Sequence, residues 1–316
     1  MNKHQVINRP ELAEARLNLG GEPLSLAPYA TTGLLGLAVG PRGMGKTNAG
    51  LLVAEQLSEQ GWVSVLIDPE SELESLYGDA VKSPADLTKR LRARREKILV
   101  VRALDANEFV PYGNAILEVA DAMRKPILCV ADEGQLFSHP RRRSEGIGEA
   151  ADIINTICER GRKRALDLFI TALRYTGTLH RSIFANKNLT LVGCQEDPTV
   201  WASLAPQFRG TQIEFSDLQA LAPGEFVMFS RRGVEKVRMP MAAALQPVAT
   251  KAAPPKRVLP ATYSQWARAM GELPLAILER LTDDEVGVLG ALSGLTAQQL
   301  VAGSSALRDE IEARAR

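Results

Sequence analysis

Gly40-Pro41-Arg42-Gly43-Met44-Gly45-Lys46-Thr47 fits the pattern G-x-x-x-x-G-K-[ST]. It follows the apolar run Leu34–Val39 and precedes the helix-like stretch Asn48–Gly61, so context and pattern agree. A strand that ends in a glycine-rich turn points backbone N–H groups inward, and the following helix adds its positive N-terminal end. Main chain then holds most of a polyphosphate. Gly40, Gly43, Met44, Gly45 and Asn48 are the expected cradle, Lys46 reaches the β and γ phosphates, and the hydroxyl of Thr47 helps hold Mg²⁺. A chance match would need the spacing, the strand and the helix all to coincide. The expected cofactors are ATP and Mg²⁺.

Working outward, residues 33–239 alternate short apolar runs with helical stretches, the pattern of repeated βα units and a mostly parallel sheet. Strands are expected at Leu34–Val39, Val63–Ile67, Ile98–Val101, Ile127–Ala131, Leu168–Thr171, Leu189–Val192, Gln212–Phe215 and Phe226–Phe229. The last two lie close together with no helix between them, which suggests an antiparallel or mixed edge. The fold class is α/β, a P-loop NTPase core of the RecA-like kind with a small helical C-terminal segment. Residues 1–32 read as a leader packing on the core, 33–245 as the ATPase domain, and 246–260, rich in Pro, Ala and Lys, as a linker. Residues 261–316 read as a few short helices. A helix-turn-helix fits their spacing, but the last helix alternates Arg308, Arg314 and Arg316 with Asp309, Glu310 and Glu312. That favours a docking or oligomerisation module over a sequence reader.

Bulk properties narrow the class. With 316 residues and 45% hydrophobic composition the chain can bury a full α/β core. Cys129, Cys158 and Cys194 are odd in number and far apart, which argues for buried thiols in a reducing compartment. No apolar run approaches the roughly 18–20 residues that span a bilayer, and Met1–Pro10 is polar, so the expectation is a cytoplasmic protein that is not itself a membrane protein. A net charge of +1 means that any nucleic-acid contact must come from local clusters. His4, His139 and His180 have no metal-ligand spacing.

Ile127-Leu128-Cys129-Val130-Ala131-Asp132-Glu133 is an apolar strand ending in two carboxylates. Read with the glycine loop it is a Walker B strand. Asp132 supports Mg²⁺, and Glu133 is placed to polarise the water that attacks the γ-phosphate. Ile67-Asp68-Pro69, with Glu72 close behind, ends the second strand, which in this sort of sheet is expected beside the P-loop; Asp68 is a nucleotide-site candidate, and a turn cap is the competing reading.

These segments, together with Gly161-Arg162-Lys163 before the fifth strand and Leu221-Ala222-Pro223-Gly224-Glu225 before the last, resemble the HerA/FtsK superfamily of ring-forming, DNA-translocating ATPases over residues 33–239. The resemblance implies a homo-oligomeric ring, most readily a hexamer, that hydrolyses ATP and moves double-stranded DNA. It also implies an arginine finger within Arg160-Gly161-Arg162-Lys163-Arg164, with Arg162 favoured and Arg160 next. Members carry Ser or Thr followed by Gln-Arg after strand five; here Thr171-Ala172-Leu173-Arg174 keeps Arg174 and lacks the glutamine, so Arg174 or Thr171 is expected to take its part. Arg141-Arg142-Arg143, in the loop after Walker B, is a candidate for nonspecific contact with the DNA backbone. Lys89–Arg95 and Arg231-Arg232 read more simply as solvated faces.

Neither the membrane segments of the chromosome-partitioning members nor room for the β-barrel domain of the repair-associated ones is evident. A compact ATPase core with a short tail is similar to the genome-packaging ATPases of tailless, membrane-containing viruses in this superfamily, and the resemblance implies a capsid or membrane-complex docking partner and a virion-associated location. Two other readings stay open: a conjugation, mobile-element or phage-assembly ATPase acting on a protein complex, and a nucleotide-binding structural subunit with little turnover.

Overall fold

The computed structural model describes residues 9–139, 145–175 and 177–246. The linker, the C-terminal helices and Arg141–Arg143 lie outside the described residues.

Eight strands form one sheet: β1 (Leu35–Val39), β2 (Val63–Asp68), β3 (Ile98–Arg102), β4 (Ile127–Ala131), β5 (Leu166–Ala172), β6 (Leu189–Val192), β7 (Glu225–Ser230) and β8 (Gly233–Arg238). Their order is β8-β7-β6-β1-β5-β4-β2-β3. The strands from β6 to β3 in that order run parallel, and β7 and β8 add antiparallel pairs at one edge. β1, β2, β4, β5 and β6 are buried at every position, as apolar strands covered on both faces must be.

Two expectations are corrected. Gln212–Phe215 is not a strand. Glu214 caps a short helix, Phe215–Gln219, through a reciprocal capping box with Asp217, so its alternation of apolar residues is overridden by local capping. The antiparallel edge is built instead from β7 and β8. β8, Gly-Val-Glu-Lys-Val-Arg, buries only Val237. Secondly, β2 does not adjoin the P-loop strand: β5 and β4 stand between β1 and β2.

The helices divide between the faces. α1 (Lys46–Glu59) lies on one, while α2 (Pro84–Ala93), α3 (Ala106–Met123) and α4 (Glu145–Arg160) cover the other. α2 and α3 begin with side-chain caps, Ser83 accepting from Asp86 N and Asp105 from Glu108 N, which satisfy otherwise orphan donors of the first turn. The α1 face is completed by the N-terminal stretch: Leu12, Leu17, Leu19, Leu24, Leu26 and Tyr29 are all buried there with Trp62 and Phe169. Truncating a fully buried leucine costs about 2–5 kcal/mol. The apolar side chains of this stretch therefore belong to the core.

The sheet also fastens this stretch electrostatically. Asp167, 1% exposed, interrupts the apolar run of β5. It accepts from Arg9 Nη1 at 2.6 Å and Nη2 at 2.9 Å, from Trp62 Nε1 at 2.8 Å and from Leu34 N at 2.8 Å. Arg9, itself 3% exposed, is thereby paired, and its N–H donates to Ala30 O.

Candidate functional site

All parallel strands end on one edge of the sheet, and the chemistry-bearing residues gather there. After β1 the chain turns through Gly43 (φ 79) and Gly45 (φ 88), left-handed conformations that glycine adopts without strain, and enters α1 at Lys46. The Met44 side chain goes into the core, leaving its backbone at the loop, where Met44 O accepts from Gly224 N at 3.0 Å. Because a Cβ at Gly45 would come within 3.7 Å of Gly224, the start of β7 floors the loop.

Lys46 is buried and donates from Nζ to Pro41 O at 3.0 Å. Burial lowers the pKa of its ammonium, while Glu133 and Asp132 pull it back up and Arg42 adds to the lowering. Thr47 Oγ1 donates to Asp132 Oδ2 at 2.9 Å. Thr171, at the end of β5, donates to Asp132 Oδ1 at 2.6 Å and accepts from Glu133 N at 3.0 Å. This contact follows from register: β5 lies between β1 and β4, with Thr171 opposite Ala38 and Ile170 opposite Ala131. Glu133 sits at φ 48, ψ 46, a left-handed conformation unusual for a side chain of its size, and the Thr171 bond helps fix it.

An open cleft of about 590 Å³ is lined by Arg42, Lys46, Thr47, Asn48 and Glu133, with Glu70 and Glu72 facing them. Cations, backbone donors, carboxylates and the Thr47 hydroxyl in one cleft suit an anionic phosphate chain accompanied by a divalent cation.

Other sequence candidates are placed differently. Asp68 is a turn cap: its Oδ1 accepts from Glu70 N and its Oδ2 from Leu73 N, and it does not line the cleft. What it contributes is the shape of the loop that carries Glu70 and Glu72. Asn48 lies at the cleft mouth, but its amide donates to Pro240 O and accepts from Ala242 N, tying down the segment that follows β8. Arg174 is exposed on the P-loop edge, in a hollow shared with Pro41, Gln195 and Asp197. Arg160 and Arg162 lie at the other edge, immediately before β5 and roughly 20 Å from the P-loop at about 3.3 Å per strand residue. They cannot reach their own P-loop. Arg162 Nη1 donates to Thr31 O at 2.9 Å, Arg160 is exposed, and both line a basic hollow with Arg124, Lys163 and Arg164.

The remaining basic stretches are largely engaged. Arg90 pairs with Glu96 and Asp86, Arg92 with Glu118, Arg94 donates to Pro126 O and Gly61 O, and Arg232 pairs with Glu235 and Glu22. All three cysteines are free; burial pushes the Cys129 thiol up to about 12. No helix among the described residues is long and apolar enough to cross a membrane.

Sequence reading gave no role to Glu70 and Leu245 at the cleft or to Gln135 beside Glu133, and placed Thr171 only as a stand-in for the missing glutamine. Only Thr171 had a local signal, a hydroxyl ending a strand otherwise apolar at that end.

No protein-family model matches the sequence, and no curated protein matches it. Solved structures do. The genome packaging NTPase B204 from Sulfolobus turreted icosahedral virus 2, in complex with AMPPCP, is similar with a TM-score of 0.52 at 14% identity, over 66% of this chain and 99% of that one. The pCW3 conjugation coupling protein TcpA, in a monomer form with ATPγS, is similar with a TM-score of 0.51 at 12% identity, over 76% of this chain and 69% of that one. The mixed, mostly parallel sheet with helices on both faces is thus the RecA-like P-loop NTPase fold.

Proposed function

We propose that the chain is an ATPase that works as a homo-oligomeric ring, most readily a hexamer, and translocates double-stranded DNA, with viral genome packaging as its setting. The observation that carries the reading is that Lys46, Thr47 and Glu133 line one cleft, with Asp132 bonded to Thr47 and Thr171 bonded to both Asp132 and the Glu133 amide behind them. Thr47 and Asp132 already share a hydrogen bond, so their oxygens converge where Mg²⁺ would be held; the ion, when bound, offsets phosphate charge. The chain's own groups do the rest. Gly43, Met44 and Gly45 offer backbone N–H groups, and Lys46 moves from Pro41 O to the phosphates. Glu133 takes the proton of the attacking water, and Thr171 keeps the two carboxylates in register.

A single cleft holds few cations against the charge that develops on the γ-phosphoryl oxygens. Arg162, with Arg160 as the alternative, completes a neighbouring subunit's site; its place at the edge opposite its own P-loop supports a role between subunits and none within one. Arg174 contacts the phosphate end from the P-loop edge. Likeness in fold to a genome packaging NTPase, nearly all of which aligns, supports the packaging setting. Likeness to a conjugation coupling protein favours a second reading, in which the same motor serves a transfer complex.

The test is the steady-state ATPase rate with and without linear duplex DNA, beside Lys46→Ala, with mass followed by light scattering. DNA-stimulated hydrolysis by an oligomer, lost in Lys46→Ala, supports the motor. Lys46-dependent hydrolysis indifferent to DNA moves the assignment to a protein-complex ATPase, and absence of hydrolysis to a structural nucleotide-binding subunit.

A further inference from the structure

The turn after Walker B carries a side chain that the mechanism above does not use. Gln135 donates from Nε2 to Glu133 Oε2. Its own Oε1 is buried and has no hydrogen-bond partner among the described residues. A carboxylate oxygen only accepts, so the amide must present its NH₂ to Glu133; turned the other way it would set two acceptors against each other. The unpaired oxygen is therefore the cost of holding Glu133.

The base beneath Gln135 is rigid. Leu136 N donates to Glu133 O at 2.9 Å, and Phe137 N and Ser138 N both donate to Gly134 O, at 3.1 and 2.9 Å. Phe137 is fully buried against Phe109, ring centres 5.0 Å apart. A Cβ on Gly134 would lie 2.3 Å from Ile170 Cγ2, so the turn is seated directly on β5.

Glu133 has an alternative partner close by. It lines the same cleft as Lys46, yet no ion pair joins Lys46 to Glu133 or Asp132; Lys46 bonds Pro41 O instead. A Glu133 side chain free to rotate would close on Lys46 and block the phosphate site from within. We propose that Gln135 is a positioning residue that holds the Glu133 carboxylate away from Lys46 and aimed into the cleft. The inference rests on the reading of Glu133 as the group that activates water.

The test uses the full chain with Mg·ATP, comparing wild type, Gln135→Met, Gln135→His and Glu133→Gln for kcat and KM, with ATPγS affinity by calorimetry and a melting curve for each. Gln135→Met, similar in size but without a donor, is expected to lower kcat about ten-fold, part of the 10²–10⁴ a positioned base contributes. KM and ATPγS affinity stay within error, the melting temperature does not fall because the unpaired oxygen is removed as well, and Gln135→His, which restores an N–H, recovers most of the rate. A Gln135→Met enzyme with wild-type kcat, or one whose loss lies in KM or in melting temperature, overturns the inference while leaving the ATPase reading intact. Wild-type protein without hydrolysis, or with hydrolysis unaffected by Glu133→Gln, overturns the ATPase reading and the inference together.

Discussion

Replacing Asp167 by alanine is expected to be among the most damaging single changes in the domain. Four donors converge on this carboxylate at 2.6–2.9 Å: two from Arg9, the Trp62 indole and the Leu34 amide. Arg9 and Asp167 are 3% and 1% exposed, so removing the acid strands a buried guanidinium. Breaking one side of a buried pair costs about 3–5 kcal/mol. The Trp62 and Leu34 donors each add about 1–3 kcal/mol if no water replaces the acceptor; these terms do not sum fully, because Glu11 still holds Arg9 Nε. A net loss of about 4 kcal/mol follows, a large part of the ~5–15 kcal/mol that holds a domain together. At about 2–4 °C per kcal/mol the melting temperature falls by roughly 8–16 °C. The assay is urea unfolding followed by circular dichroism and tryptophan fluorescence, with Arg9→Met and the double variant. Arg9→Met leaves Asp167 two donors and costs less, and the double variant is no worse than Asp167→Ala. A loss below about 1 kcal/mol, or additive single losses, would refute the argument that the two charges depend on each other.

Further expectations concern the cleft. Glu133→Gln lowers kcat by about 10²–10⁴ with ATP binding retained, the split expected of a base that acts only in the transition state; equal loss of binding in a calorimetric titration would count against that role. Thr171→Val keeps the shape but removes a donor to Asp132 and an acceptor for Glu133 N, so kcat falls about ten-fold or more and stability by about 1–3 kcal/mol, read from initial rates and urea midpoints. Lys46→Met abolishes hydrolysis yet raises the melting temperature of nucleotide-free protein, because it removes an ammonium whose pKa burial holds down. The sign with pH follows: the unfolded chain holds the Lys46 proton more tightly, so the penalty is fully present below the folded pKa and shrinks as pH rises toward the ordinary lysine value of 10.5. The gap between wild type and Lys46→Met in melting scans should therefore narrow on the alkaline side, and a constant gap would sink the explanation.

The parts of the site legible in sequence were those written in consecutive residues. Leu35–Thr47 and Ile127–Glu133 each combine a buried strand with a turn whose chemistry is local, and such segments announce themselves. Residues whose importance lies in what the sheet brings beside them were legible at most as candidates: Thr171 stood in for a missing glutamine, without its partners Asp132 and Glu133. Thr171 matters because β5 lies next to both β1 and β4, and Arg9 because it meets an aspartate 158 residues away. One clue was available: an aspartate within Leu-Asp-Leu-Phe-Ile must find a partner if the strand is buried. Asp68 misled for the complementary reason, since an acid after a strand caps a turn as readily as it holds a ligand. β8 escaped because an edge strand with one buried valine differs little in sequence from a loop.

β5 has one end at the cleft and the other beside the basic hollow. Its last turn of backbone touches both Walker B acids through Thr171, and its first residues follow directly on Gly161–Arg164 and hold the N-terminal stretch through Asp167. Laddered to β1 and β4 along its length and buried on both faces, it can neither slip in register nor bend alone. In a ring of such subunits, a change of chemical state in one cleft would be felt at the next through the rigid length of a single strand, with no hinge between the two ends.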